Sequence, residues 1–241
     1  MAEKVYAILT AGGVGSRMKT DIPKQYLSVF DRPVISYTME AFEKAESVDG
    51  IVVVCAEGWE NFIDVIAKQY KISKYIGTCL GGATGQESIY NGLCFLKGRI
   101  NDNDIVLVHD GIRPLVSQKI INDCVETIRK YGNGVPVTPC NEVMLKNVDG
   151  KEDVSNLAIP RSILKKTQTP QGARLNMLLE MHERARREGK TYIATADLLI
   201  GSGYDVHYSI GSEKNIKLTT QEDLDIMKAL LQVGVTRPLR K

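Results

Sequence analysis

The chain has 241 residues, 43% of them hydrophobic, and its 31 Lys and Arg against 29 Asp and Glu leave a formal net charge of +2. That length carries a sizeable core in one large α/β unit, and the near balance of charge, broken only by a modest basic run at Arg184, Arg186 and Arg187, argues against a nucleic acid partner. No apolar run approaches the roughly 20 residues that span a bilayer, and no charged-then-apolar leader precedes the first strand, so a cytoplasmic protein without a membrane partner is expected.

In chain order, β-branched apolar runs alternate with segments of helical period. Strands are expected over 5–10, 51–55, 105–109 and 135–138, and helices over 33–45, 59–70, 86–96 and 117–131. In the last helix Ile120, Cys124 and Ile128 share a face, with Ile121 and Val125 beside them. This alternation predicts an α/β fold with a Rossmann-like, mostly parallel twisted sheet and helices on both faces. The pattern breaks after Pro139. Residues 142–161 are polar, carry Asp149-Gly150 as a hairpin turn, and are expected to form a protruding β-arm that reaches a neighbouring subunit. A helix over 175–188, a strand over 206–210 and a final helix opened by Thr220, with Asp223 three residues on, complete the reading. The five cysteines, Cys55, Cys79, Cys94, Cys124 and Cys140, form no CxxC pair and read as reduced core thiols. Trp59 reads as packing, His182 and His207 as surface or cap residues, and Lys165 and Lys166 as a solvated face.

The first strand runs directly into Ala11-Gly12-Gly13-Val14-Gly15-Ser16-Arg17-Met18, followed by Pro23-Lys24-Gln25. In an open parallel sheet this loop lies at the carboxyl edge, where ligands bind. Glycines let backbone N–H groups close on a phosphate, and Arg17 and Lys24 add the charge a triphosphate needs. The bland alternative is a tight turn beside two solvated cations. A P-loop would need Gly-Lys-Ser/Thr where Ser16-Arg17-Met18 stands, and a dinucleotide fingerprint would need a third glycine in place of Met18. Gly81-Gly82 through Ser88 leads into a helix, where backbone groups and a hydroxyl could meet a ligand or simply start the helix. Asp110 ends an otherwise apolar strand at the same edge as the glycine loop; it is placed to serve a ligand, to cap the next turn or to pair with Arg113. His109, closing that strand, fits a packing residue.

Read together, Ala11-Gly12-Gly13-x-Gly15-x-Arg17-Met18, Pro23-Lys24-Gln25, Gly81-Gly82 with Ser88, His109-Asp110-x-x-Arg113-Pro114, Gln168-Thr169-Pro170-Gln171 and Asn215-Ile216-Lys217-Leu218-Thr219 resemble the cytidylyltransferases that act on 2-C-methyl-D-erythritol 4-phosphate or D-ribitol 5-phosphate. The pieces stand in family order over nearly the whole chain. The resemblance implies a single nucleotidyltransferase domain over 1–241, a dimerisation arm over 141–162, CTP and a small polyol phosphate as substrates, and Mg²⁺ as cofactor. It implies that Arg17, Lys24 and Lys217 are catalytic. It also implies that Ala11, Gly12, Gly13, Gly15, Ser16, Gly81, Gly82 and Ser88 bind the nucleotide. Asp110, Arg113, Arg161 and Thr169 would bind the acceptor, with Asp110 also the metal ligand. In a homodimer Arg161 would reach the acceptor phosphate across the interface; otherwise it is a solvated loop cation.

Several positions depart from the family pattern. Ala83 and Gly85 stand where an acidic residue and an arginine are frequent, Glu142-Val143 where Asp-Thr is usual, and Thr195-Ala196-Asp197 where Thr-Asp is usual. Val143 and Ala196 lean the acceptor towards ribitol 5-phosphate, a teichoic acid or capsule precursor, over the methylerythritol phosphate of isoprenoid synthesis. From other classes, an NAD(P)-dependent oxidoreductase and a non-catalytic nucleotide-binding module stay open; Met18 and Lys24 weigh against the first.

Overall fold

The computed structural model describes residues 3–13 and 22–236. In chain order it places β1 (Val5–Ala11), a hairpin of β2 (Ser28–Val29) and β3 (Arg32–Pro33), α1 (Val34–Glu43), β4 (Gly50–Cys55), α2 (Glu60–Gln69), β5 (Tyr75–Leu80) and α3 (Gly85–Leu96). There follow β6 (Ile105–Asp110), α4 (Gln118–Tyr131), β7 (Asn133–Pro139), β8 (Met144–Asn147), β9 (Ser155–Ile159), β10 (Lys165–Thr167) and β11 (Gln171–Arg174). The chain closes through α5 (Leu175–Arg187), α6 (Thr195–Gly201), β12 (Tyr208–Ile210) and α7 (Gln221–Thr236).

Among the described residues eight strands form the central sheet, in the order β10-β7-β11-β6-β1-β4-β5, with β12 also pairing β7. β1 runs parallel to β4 and β6, and β4 to β5, whereas β11 lies antiparallel between β6 and β7. Strand side chains alternate between the two faces, and here both faces are apolar. Ala7, Leu9, Ile51, Val53, Ile105 and Leu107 belong to one core, whereas Ile8, Val52, Val54, Val106 and Val108 belong to the other. Ile35, Met39, Phe42, Ile63 and Ile121, from α1, α2 and α4, cover the first face; Leu93, Leu96, Leu175, Leu178 and Leu199, from α3, α5 and α6, cover the second. Each such side chain, fully buried, contributes about 1.5–3 kcal/mol. A smaller cluster of Val29, Val34, Ile112, Leu218, Leu224 and Met227 packs the C-terminal part of the chain beside the end of β6.

The anticipated strands and helices are present, with ends displaced by a residue or two and the strand over 206–210 shortened to β12. Caps explain the helix ends: the Ser117 hydroxyl accepts from Ile120 N–H, and Gly132, at φ 90°, closes α4 in the left-handed region. Thr220 Oγ1 accepts from Asp223 N–H at the start of α7, as the capping pattern predicts. The polar stretch after Pro139 folds into an antiparallel hairpin of β8 and β9. Among the described residues no helix is long and apolar enough to cross a membrane.

Two expectations are corrected. His182 is buried, not at the surface: it follows Leu178 by one helical turn and precedes Ala185, so it shares their core-facing stripe and stacks on Tyr90. Cys94 is exposed and Cys79 half-buried, so the core contains only Cys55, Cys124 and Cys140 of the five free thiols. Trp59 does pack, stacking on Tyr26 with ring centroids 4.0 Å apart.

Candidate active site

The carboxyl ends of β1, β4 and β6 bring the predicted loops into one place. Thr10 is in register with Asp110, and Gly111 N–H donates to the Thr10 carbonyl at 2.9 Å. A Cβ on Gly111 would stand 2.9 Å from that carbonyl oxygen and 2.8 Å from Ile35 Cδ1, so the close approach of the two strand ends requires glycine. A Cβ on Gly12 would lie 3.5 Å from Gly81 Cα, which puts the first glycine loop against the second.

Gln25 holds the described part of the first loop. Its Nε2 donates to the carbonyls of Ala11 at 2.6 Å and Gly13 at 2.9 Å, and the Tyr26 hydroxyl donates to Ala11 at 3.1 Å. Burial raises the Tyr26 hydroxyl far above its ordinary pKa, which keeps it a donor. Lys24 opens the short 3-10 turn that carries both holders and therefore stands beside the loop. Gly15, Ser16 and Arg17, expected in nucleotide binding and catalysis, lie outside the described residues, as does Met18.

In the second loop the Ser88 hydroxyl turns inward. It accepts from Gly82 N–H at 3.1 Å and donates to the Thr84 carbonyl at 2.9 Å, shaping the loop it was expected to line. Thr84 caps α3 by accepting from Glu87 N–H, and Glu87 in return accepts from Ala83 N–H at 2.8 Å. The loop is thus held internally while Gly81 faces Gly12.

Asp110 gathers two cations, Arg113 from the turn after β6 and Lys217 from the C-terminal segment. Arg113 Nε donates to Asp110 Oδ2 at 2.9 Å, and Lys217 Nζ stands 3.2 Å from Oδ1 and 3.1 Å from Oδ2. Burial alone would push the Asp110 carboxyl up, but Lys217 and Arg113 outweigh it and hold the group below the usual carboxylate range. Lys217 arrives because Leu218 packs in the C-terminal cluster and its N–H donates to the Ile112 carbonyl at 2.9 Å. The pairing of Asp110 with Arg113, one of the readings left open by the sequence, is therefore present, and Lys217 joins it.

Thr169 belongs to the same cluster, its hydroxyl accepting from Asp110 N–H at 3.1 Å and meeting His109 Nδ1 at 3.0 Å. His109 Nε2 lies 3.2 Å from the Arg113 carbonyl, and burial pushes the ring down to about 4, leaving it neutral. Asn215, fully buried, donates from its side-chain amide to the backbone carbonyl of Thr169 at 2.9 Å, while its own backbone carbonyl accepts from Arg113 Nη1 at 2.7 Å. The sequence named the motifs that hold Gln25, His109 and Asn215 but gave none of the three a holding role. Polar residues at the edges of apolar runs were the available signal.

Arg161 stands apart within this chain, its guanidinium bonding the Asn141 carbonyl at the base of the hairpin. Val143 is 75% exposed there, and Leu145 and Leu157 are also exposed. Asp197 accepts from Ile193 N–H at the start of α6, and Ala196 N–H donates to the buried Gln171.

Asp110 remains partly accessible, but among the described residues no three His, Cys, Asp or Glu side chains gather into a metal cage. Mg²⁺ commonly binds through one or two carboxylates together with water and substrate phosphates. That donor set fits an ion arriving with a triphosphate, for which Asp110 would be the protein ligand.

The chain resembles known proteins over nearly its whole length. The model of the IspD family, 2-C-methyl-D-erythritol 4-phosphate cytidylyltransferase, matches residues 5–233. The ribitol-5-phosphate cytidylyltransferase of Vibrio parahaemolyticus is 38% identical over 93% of this chain and 94% of its own. The 2-C-methyl-D-erythritol 4-phosphate cytidylyltransferase of Clostridium acetobutylicum is 37% identical over 94% and 96%. The crystal structure of 4-diphosphocytidyl-2C-methyl-D-erythritol synthase from Anaerococcus prevotii superposes with a TM-score of 0.81 at 26% identity, covering 95% of this chain and 96% of that one. The chain belongs to the IspD family and is a CTP-dependent cytidylyltransferase.

Proposed function

We propose that the enzyme transfers CMP from CTP to D-ribitol 5-phosphate, giving CDP-ribitol and pyrophosphate. An acceptor phosphate oxygen attacks the α-phosphorus of CTP in line; the new P–O bond forms as the bond to the β-phosphate bridging oxygen breaks, and pyrophosphate leaves with the electron pair. Two anions must meet, so stabilisation by fixed cations carries the step. The observation that carries the reading is the Asp110–Arg113–Lys217 cluster, one strand away from a glycine loop held by Gln25. In this reading the loops of Ala11–Gly13 and Gly81–Gly82 hold the nucleotide, with Gly15 and Ser16, and Ser88 shapes the second loop. Lys24, Arg17 and Lys217 bear on the triphosphate. Asp110, Arg113 and Thr169 face the acceptor. Mg²⁺, bound with CTP, supplies further charge neutralisation.

The ribitol acceptor is favoured by the likeness to the Vibrio parahaemolyticus enzyme and by Val143, which has no hydroxyl to offer a polyol or phosphate. The Clostridium acetobutylicum relative, 37% identical, supports 2-C-methyl-D-erythritol 4-phosphate as the second reading. The whole of 1–241 acts as one domain, and the hairpin within 141–162, with its exposed Val143, Leu145 and Leu157, joins a second copy so that Arg161 serves the partner's acceptor site. Pyrophosphate release from CTP and Mg²⁺ with each of the two acceptors tests the reaction, and light scattering with and without the hairpin tests the dimer.

A further inference from the structure

The Thr169 hydroxyl and the Arg113 carbonyl converge on one buried imidazole, and the Asp110 amide joins them through Thr169. His109 is 0% exposed, packs against the Phe42 ring, and is hydrogen-bonded through both ring nitrogens. The proton positions follow from what the partners can do. The Arg113 carbonyl can only accept, so Nε2 carries a proton. The Thr169 hydroxyl accepts from Asp110 N–H at 3.1 Å and so has its own proton free for Nδ1, 3.0 Å away. Each group thereby satisfies the next, in one direction only.

The turn these bonds grip is the one that aims the acceptor-side charges. Arg113 N–H closes it on the Asp110 carbonyl at 2.9 Å, and the Arg113 side chain folds back onto the Asp110 carboxylate. Without the imidazole, the Arg113 carbonyl would lose its bond to the ring and the Thr169 hydroxyl its fixed orientation. We propose that His109 is a positioning residue for acceptor binding: as the Nε2–H tautomer it locks the Asp110–Arg113 turn to Thr169 and so sets where the carboxylate and guanidinium stand. The proposal rests on the reading that Asp110 and Arg113 face the acceptor.

Two measurements test it. Nitrogen NMR of the histidine-labelled enzyme at neutral pH reads the ring without any substrate; the expected result for His109 is a protonated Nε2, and a bare Nε2 with a protonated Nδ1 would overturn the proposal. Steady-state kinetics then compare H109F, which keeps a ring but loses both bonds, with H109Q, whose amide can offer one acceptor and one donor. H109F is expected to raise the acceptor KM roughly tenfold, with the CTP KM changed less than about twofold. H109Q should recover part of that loss, and if H109F does not fold, H109Q alone should show the same selective rise. Equal rises in both KM values, or a lower melting temperature with unchanged KM values, would overturn the positioning role. If the parent enzyme releases no pyrophosphate with ribitol 5-phosphate, that failure belongs to the acceptor assignment, and the same comparison is read with 2-C-methyl-D-erythritol 4-phosphate.

Discussion

Lys217 Nζ stands 3.1 Å from Asp110 Oδ2, an ion pair that closes across 107 residues of sequence. It ties the C-terminal segment to the end of β6 and holds an ammonium beside the strand edge where the glycine loops meet. Side-chain exposure of 43% for Lys217 makes the pair a small contributor to stability, about 0–1 kcal/mol. Its weight should fall on turnover. K217A is expected to lower kcat on the order of 10²–10³-fold at saturating CTP, with little change in melting temperature. Pyrophosphate release measures it, and a loss of less than about threefold would contradict the role.

Gln25 bridges the carbonyls of Ala11 and Gly13 with one amide nitrogen. Removing it leaves the Ala11 carbonyl with the Tyr26 hydroxyl and takes the Gln25 bond from the Gly13 carbonyl. Q25A is expected to cost about 1–2 kcal/mol of stability and to raise the CTP KM while leaving the acceptor KM unchanged. Urea denaturation and two-substrate kinetics check the two parts separately. Q25E, which puts an acceptor against two carbonyls, should be worse than Q25A in both.

Much of this was legible in the sequence because both faces of the sheet are buried. Runs such as Ile51–Cys55 and Ile105–Val108 have no polar alternation, and helical spacing marked the covering elements. β11 was not legible, because Gln171-Gly172-Ala173-Arg174 contains no β-branched residue. In the site, the motifs located Asp110, Arg113, Thr169 and Lys217 but not their mutual contacts, which depend on Leu218 docking beside Ile112 from over a hundred residues away. His182 was misread because a lone histidine carries no sign of burial until its neighbours Leu178 and Ala185 are seen to share its face.

His182 also makes stability depend on pH. Burial, with Arg186 adding to it, lowers its pKa from 6.5 to about 4, and among the described residues neither ring nitrogen has a hydrogen-bond partner. The unfolded chain therefore binds the proton more readily, so stability is complete above pH 6.5 and is lost as pH falls towards 4. H182F should flatten the fall in melting temperature over that window while leaving kcat near its parent value. An unchanged pH profile of melting would show that another group governs it.

The proposed reaction is the transfer of CMP to a ribitol phosphate at the strand edge shared by Gly12, Gly81 and Asp110. Phosphorus NMR of the enzyme with CTP, Mg²⁺ and D-ribitol 5-phosphate tests it most directly, because donor, products and acceptor are seen in one spectrum. Stoichiometric conversion to CDP-ribitol and pyrophosphate is the predicted result. Unchanged CTP with that acceptor, alongside conversion with 2-C-methyl-D-erythritol 4-phosphate, would contradict the ribitol assignment, and unchanged CTP with both would rule out the proposed transfer.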